Sequence, residues 1–160
     1  MQIKPYDDAC RSHFIQMFTT YFIDDLKHDL PPAIIENRIC DFILGQLEKG
    51  IVRLDLALLS GRPVGFVLYQ IDTPQSDWCK RENWGFIREL YIEKAYRMTG
   101  YGKRLAAHAE RRLCKMGAKE IYLMPDENAR NFWRACGYAE EPSGDCEQRA
   151  FSKHVPVFYP

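Results

Sequence analysis

The stretch that decides the fold is Arg97-Met98-Thr99-Gly100-Tyr101-Gly102-Lys103, which lies between a predicted strand and a predicted helix. Two glycines one residue apart allow the backbone to curl so that successive N–H groups point inward. The helix that follows adds the positive end of its dipole. Such a segment suits an anion, in particular a pyrophosphate. The alternative is a tight strand-to-helix turn whose basic residues are simply solvated.

Two known phosphate-binding motifs do not fit this stretch. A P-loop needs glycine where Arg97 stands and Ser or Thr directly after Lys103, where the chain has another arginine. The dinucleotide fingerprint G-x-G-x-x-G, begun at Gly100, needs a third glycine where Leu105 stands. The pattern that remains is R-x-x-G-x-G at a strand-to-helix junction.

The apolar periodicity on both sides of this loop predicts an α/β chain of the α+β type. Strands are predicted near residues 2–6, 52–58, 64–71, 84–92, 120–124 and 146–153, and helices near 12–28, 31–50, 100–116 and 129–136. Asp126 is the predicted N-cap of the last helix, and Gly137 its stop. The predicted order of elements, with two strands after the last helix, is β-α-α-β-β-β-α-β-α-β-β.

Length and composition indicate one globular domain over residues 1–160, with 46% hydrophobic and 28% charged residues. The 22 basic residues balance 22 acidic ones, which argues against nucleic acid as a partner. The six cysteines have no C-x-x-C spacing, so we expect no metal site and reduced thiols. Neither a signal peptide nor a membrane span is apparent. We therefore expect a cytoplasmic protein with no membrane partner.

The loop pattern resembles the central motif of the GNAT N-acetyltransferase superfamily, [RQ]-x-x-G-x-[GA]. The flanks extend the resemblance, because 87–92 (Ile-Arg-Glu-Leu-Tyr-Ile) is similar to the family's fourth strand. Residues 129–138, a predicted helix that ends in Gly137-Tyr138, are similar to its second motif. The resemblance implies a mixed, mostly antiparallel sheet that is splayed between strands 4 and 5 and flanked by helices.

The resemblance also implies acetyl-CoA as the cofactor and transfer of the acetyl group to a primary amine by direct attack on the thioester. The implied cofactor-binding residues are Leu90, Tyr91 and Ile92 along the pantetheine, Arg97, Met98, Thr99, Gly100, Tyr101, Gly102 and Lys103 at the phosphates, and Asn131 and Trp133 nearby. The alternative is a non-catalytic GNAT-like module that binds CoA as a sensor or partner domain.

Glu89 is the candidate general base, because strand alternation predicts that it shares a face with Ile87 and Tyr91, opposite Arg88. The alternative is a strand glutamate paired with a nearby cation. Many family members have a tyrosine acid where this chain has Trp133, and an indole N–H does not titrate usefully. Tyr138 is the candidate acid, and the alternatives are Tyr101, a water molecule or a thiolate that leaves unprotonated. This departure from the family pattern is the main support for the non-catalytic alternative.

The first predicted helix supplies the candidate acceptor site, formed by Tyr21, Phe22 and Asp25. Carboxylates beside aromatic rings suit a cationic amine of a small molecule or peptide, and the alternative is a solvated helix end. Residues 1–50 hold five basic and eight acidic residues, whereas 97–119 hold seven basic and one acidic. The apolar tail, 155–160, suggests docking on the sheet or a homodimer interface.

Overall fold

A computed structural model describes residues 1–77, 79–142 and 149–156. Its centre is a mixed sheet in the order β1-β2-β3-β4-β5-β7-β6, in which β4 and β5 are the parallel pair. The strands are β1 Gln2–Pro5, β2 Arg53–Leu59, β3 Arg62–Ile71, β4 Gly85–Ile92, β5 Glu120–Leu123, β6 Ala139–Glu140 and β7 Phe151–His154. The mostly antiparallel sheet and the predicted element order are confirmed.

Helices cover both faces of this sheet. They are α1 Arg11–Thr20, α2 Pro32–Ile34, α3 Asp41–Glu48, α4 Tyr101–Lys115 and α5 Arg130–Ala135. Helix α1 widens at its end into a π-helical turn, Tyr21–Asp25, and a second π-helical stretch, Ile35–Cys40, joins α2 to α3. The predicted helix over 31–50 is therefore one continuous helical run with a wider middle. No helix in the described part of the chain is long and apolar enough to cross a membrane.

Two apolar layers lie on opposite faces of the sheet. The layer under α1 and α3 includes Phe14, Phe18, Ile43, Leu44, Phe66, Leu68 and Tyr91. The layer under α4 and α5 includes Val67, Tyr69, Ile87, Leu105, Leu113, Ile121 and Trp133. Alternate residues of β3 thus contribute to opposite layers, as the pleat of a strand buried on both faces requires.

The ends of the last helix follow the local sequence. Asp126 Oδ1 accepts hydrogen bonds from the amides of Asn128 and Ala129, at 2.8 and 3.0 Å. Gly137 adopts φ 89°, the left-handed conformation that ends a helix. Both predictions are confirmed. The final strand starts later than predicted, at Phe151, and the part of the prediction over 146–148 lies outside the described residues, as does 157–160 of the tail.

The sheet splays between its fourth and fifth strands, as predicted. Pairing of β4 with β5 is limited to Gly85 with Ile121 and Phe86 with Tyr122. Beyond these pairs β4 continues for six residues to Ile92, paired with β3 on one side. Among the residues that the structure describes, no strand pairs with the other edge of β4 along most of its length.

A β-bulge interrupts β4 opposite this open edge. Leu68 pairs with Glu89 but Tyr69 pairs with Ile87, so Arg88 is the additional residue. Such a bulge resets the alternation of side chains along the strand. Ile87 accordingly packs under α4, whereas Tyr91 packs under α1. The prediction that Ile87, Glu89 and Tyr91 share one face is therefore wrong for Ile87.

The buried carboxylate of Asp72 anchors the connection between β3 and β4. Asp72 is 0% exposed and accepts hydrogen bonds from the Gln70 side chain at 2.7 Å and from the amides of Lys80 and Arg81 at 3.1 and 3.2 Å. The Tyr122 hydroxyl donates a further short hydrogen bond to it. The backbone amides of Lys80 and Arg81 are thus paired with a carboxylate instead of with the carbonyl groups of a neighbouring strand.

Candidate active site

A cleft of ≈ 490 Å³ opens where β4 and β5 separate. It runs between the π-helical end of α1 and the start of α5. Its lining combines aromatic, aliphatic and charged side chains, namely Tyr21, Phe22, Leu26, His28, Phe86, Ile87, Arg88, Glu89, Leu90, Leu123, Met124, Pro125, Asp126, Ala129 and Trp133. A second, smaller cavity between Tyr6 and α3 has none of the residues that the sequence singles out.

Glu89 and Tyr21 form the central polar pair of the cleft. The Tyr21 hydroxyl donates a hydrogen bond of 2.5 Å to Oε2 of Glu89. The two residues are 68 positions apart in the chain, so the contact joins the N-terminal helical face to the middle of the sheet. The bulge at Arg88 makes this contact possible, because it turns Glu89 toward the layer beneath α1.

The surroundings of Glu89 adjust its pKa to the neutral range. Removal from solvent raises the pKa of this carboxyl from 4.5 to about 7, since burial disfavours the charged form. The Tyr21 hydrogen bond and the charge of Arg88 act in the opposite direction, and Asp126 adds to the increase. A carboxyl group with a pKa near 7 can both accept and release a proton at neutral pH.

The open edge of β4 presents backbone groups to the cleft. The Glu93 amide donates to the Val64 carbonyl at 2.9 Å, on the β3 side. Backbone groups of an antiparallel strand alternate in direction, so those of Tyr91 also face β3, whereas those of Leu90 and Ile92 face the open side. The Ile92 carbonyl indeed accepts a hydrogen bond from Arg97 Nε at 2.8 Å. By the same alternation the Leu90 amide faces the open side, and Leu90 lines the cleft.

The glycine loop curls at Gly100, as the sequence pattern predicts, whereas Gly102 lies within the first turn of α4. Gly100 adopts φ 83° and Met98 adopts φ 61°, so the chain curls twice before α4 begins at Tyr101. The first turn of α4 leaves backbone amides without intrahelical partners. Lys103 is exposed on that turn. Gly102 has a packing role as well, because a Cβ there would lie 3.1 Å from the Phe132 ring.

Arg97 of the loop contacts Asp25, which the sequence predicted to belong to the acceptor site. Arg97 Nη2 lies 2.5 Å from Asp25 Oδ2, and the Arg97 guanidinium stacks 5.4 Å from the Tyr91 ring centroid. A second ion pair joins Lys94 and Asp24 at 3.2 Å. The acidic N-terminal segment and the basic loop therefore meet directly, and Asp25 is already paired. The predicted acceptor residues Tyr21 and Phe22 do line the cleft.

The remaining predicted residues separate into those at the cleft and those away from it. Leu90 and Trp133 line it, and Trp133 is 6% exposed. Asn131 is exposed and accepts from Arg134. Tyr138 is 3% exposed, packs edge-on against Trp133 and does not line the cleft. Burial and Glu110 raise the Tyr138 pKa far above its ordinary range, so the geometry gives no support to a role as proton donor.

Sequence reasoning missed two charged or titratable groups of the cleft, Arg88 and His28. The signal for Arg88 is present in the sequence, since Arg88-Glu89 places two charged residues side by side in an otherwise apolar strand. Such an interruption of alternation is typical of a bulge. His28 stacks on Phe22 at 4.8 Å beyond the end of the π-helical turn, where no periodic pattern indicates its position.

Comparison with known families agrees with this geometry. The acetyltransferase (GNAT) family model matches residues 12–138, which is most of the chain. The chain therefore belongs to the GNAT acetyltransferase family. None of the curated proteins matches its sequence.

Solved structures with the same fold cover nearly the whole chain at low identity. The PaiA N-acetyltransferase of Thermoplasma acidophilum, crystallised with coenzyme A, has TM-score 0.73 and 15% identity over 97% of this chain and 100% of its own. The ribosomal-protein-alanine N-acetyltransferase of Brucella melitensis gives the same four values. A GCN5-related N-acetyltransferase of Ralstonia eutropha has TM-score 0.74 and 18% identity over 91% of this chain and 95% of its own. These similarities establish the fold.

Proposed function

We propose that this protein is an acetyl-CoA-dependent N-acetyltransferase that acetylates a primary amine in the cleft between β4 and β5. The observation that carries the proposal is Glu89, a carboxyl with a pKa of about 7 beside an open strand edge. Membership of the GNAT family supports acetyl transfer in general.

The residues present fit acetyl-CoA. The unpaired edge of β4 offers the Leu90 and Ile92 backbone to a pantetheine amide chain, as an added strand would use it. The curled loop through Gly100 and the first turn of α4 offer amides to a pyrophosphate, with Lys103 close by. Arg97 supports the loop through Asp25 and the Ile92 carbonyl, which makes it a positioning residue in this proposal.

The chain's own residues then supply the proton transfer and the charge stabilisation. Bound acetyl-CoA supplies a thioester whose carbonyl carbon bonds to the amine nitrogen while the C–S bond breaks and its electron pair leaves on sulfur. Glu89 takes one proton from the ammonium, directly or through a water, and returns it to solvent. The Leu90 amide donates to the carbonyl oxygen as negative charge develops there. The second proton lost by nitrogen reaches the sulfur through water.

The test combines CoA binding with turnover. We expect CoA to bind saturably and raise the melting temperature, and we expect free CoA thiol to appear when acetyl-CoA is mixed with a suitable primary amine. The panel contains amino acids, alkylamines, polyamines and short peptides. Binding without turnover on any class would favour the non-catalytic CoA module. Absence of CoA binding would contradict both functions.

A further inference from the structure

The charge in the cleft differs from the charge that a polyamine or a lysine-rich peptide would need. Asp24 and Asp25, which the sequence offers to a cationic acceptor, are paired with Lys94 and Arg97. Asp126 lines the cleft, but its Oδ1 holds the first turn before α5. The cleft therefore has fewer available carboxylates than its sequence indicates.

Arg88 provides a positive charge on the same wall. Among the residues that the structure describes, its guanidinium has no carboxylate within ion-pair distance, and its hydrogen bond goes to the neutral Gln70 Oε1 at 3.2 Å. A guanidinium has five N–H donors, so most of them remain available to a ligand. Arg88 lines the cleft and directly precedes Glu89 in the chain.

Two consecutive hydrogen bonds, the second of them buried, hold the Arg88 guanidinium. Gln70 is 0% exposed, and its Nε2 donates at 2.7 Å to Asp72, which is also 0% exposed. This bond orients the Gln70 amide so that its oxygen faces Arg88. A long arginine side chain held in this way loses less conformational entropy when a ligand binds.

The position of Arg88 along β4 assigns it to the acceptor rather than to the cofactor phosphates. The phosphate loop follows Ile92, and Arg88 lies four residues upstream, which is roughly 13 Å of extended strand. Glu89 and the Leu90 amide lie between the two positive regions. The guanidinium is thus beside the reacting centre, on the side away from the glycine loop.

We propose that Arg88 binds a carboxylate of the acceptor, so that the substrate is a primary amine with a carboxylate close to its nitrogen, such as a free α-amino acid. The acceptor ammonium lies at Glu89 while the carboxylate meets the planar fork of Arg88. Aromatic side chains of the cleft, Phe22, Phe86 and Trp133, suit an apolar or aromatic amino-acid side chain. This inference rests on the proposed function.

The experiment compares amino acids with their decarboxylated counterparts, phenylalanine with phenethylamine and leucine with isopentylamine. We expect kcat/KM to favour the amino acid at least tenfold, and Arg88→Gln to reduce that ratio at least tenfold, with Arg88→Lys intermediate. Arg38→Gln, which removes an exposed guanidinium outside the cleft, is the matched control and should leave the ratio unchanged. Equal or better turnover of the decarboxylated amines overturns the inference, as does an equal loss on both members of each pair in Arg88→Gln.

A binding measurement keeps this inference separate from the proposed function. Phenylalanine and leucine are titrated calorimetrically into CoA-saturated protein, where we expect binding that Arg88→Gln weakens at least tenfold and Arg38→Gln preserves. Turnover of phenethylamine with no amino-acid preference contradicts the role of Arg88 and leaves the transferase function intact. Binding of amino acids through Arg88 with no turnover of any amine supports the carboxylate site and contradicts the transferase function. Failure of both amino acids to bind overturns the inference.

Discussion

The Tyr21 hydroxyl lies 2.5 Å from Oε2 of Glu89 and donates a hydrogen bond to it across the cleft. This contact couples two opposing effects on one carboxyl group. Burial raises the Glu89 pKa, and the hydroxyl lowers it by stabilising the carboxylate. The resulting value of about 7 makes the pair sensitive to small changes in either residue.

Replacement of the proposed base, Glu89→Gln, should lower kcat by about 10²- to 10⁴-fold, the range typical of general-base removal. The wild-type rate should rise with pH through about 7 as Glu89 loses its proton and becomes able to accept another. The variant should lack this acidic limb, which a kcat profile from pH 5 to 9 measures. The same limb in the variant would assign the titration to another group.

Glu89→Gln, which should lower the rate, should make the fold more stable above neutral pH. The folded-state pKa of Glu89 is raised, so its cost to folding is absent below the unfolded pKa of 4.5 and grows until the pH passes about 7. Glu89→Gln, whose neutral amide oxygen still accepts from Tyr21, should therefore unfold at a higher temperature than wild type at pH 8. The two should differ less at pH 4.5. A pH-independent difference in melting temperature would argue against a raised pKa.

Removal of the hydroxyl, Tyr21→Phe, tests the other half of the pair. Loss of a hydrogen bond to the carboxylate raises the Glu89 pKa further, so the acidic limb should move to higher pH. The rate at pH 7 should fall several-fold and recover toward wild type near pH 9, while ring packing against Phe66 and Tyr91 is kept. A loss of equal size at every pH would instead make Tyr21 a proton donor in the reaction.

The conformation of Gly100 should matter for CoA affinity. Gly100 adopts φ 83°, and a Cβ there meets nothing within 4 Å, so Gly100→Ala introduces backbone strain of about 1–2 kcal/mol without a clash. We expect CoA to bind roughly tenfold more weakly, in line with about 1.4 kcal/mol per tenfold. Gly100→Asn should lose less CoA affinity than Gly100→Ala, because asparagine tolerates this conformation.

The control for this prediction is Gly61→Ala in the turn between β2 and β3. Gly61 has φ 81° and an equally open Cβ position, so the strain is the same but the cofactor loop is untouched. Both alanine variants should lower the melting temperature, and Gly100→Ala alone should weaken CoA binding in calorimetry. Equal CoA affinities in the two variants would indicate that the glycine loop does not bind the CoA phosphates.

The sequence predicted the strands and the glycine loop because these depend on local patterns, whereas the splay of the sheet was implied by the resemblance to the GNAT family. Alternation indicated the strands, and the Gly100 and Gly102 spacing indicated the loop. The active-site pairing depends on one bulged residue, Arg88, which moves every later side chain of β4 to the other face. Periodicity assumes an unbroken strand, so it placed Glu89 with Ile87. It also offered no means to see that Asp25 meets Arg97, because that contact joins segments 72 residues apart.

The Asp72 carboxylate should be a principal determinant of stability. In Asp72→Asn, the new amide group must face either the Gln70 amide, which now donates to Oδ1, or the two backbone amides and the Tyr122 hydroxyl, which now donate to Oδ2. A buried donor that faces other donors costs about 1–3 kcal/mol, and the cost is larger where a charged acceptor is lost. We therefore expect a loss of about 2–4 kcal/mol in the free energy of unfolding, measured with urea.

The matched control is Asp77→Asn, an exposed site in the same connection, which should change the free energy of unfolding by less than about 0.5 kcal/mol. Tyr122→Phe, which keeps the stack on Phe86, should lie between them, and an Asp72→Asn value as small as that of Asp77→Asn would exclude Asp72 as the anchor.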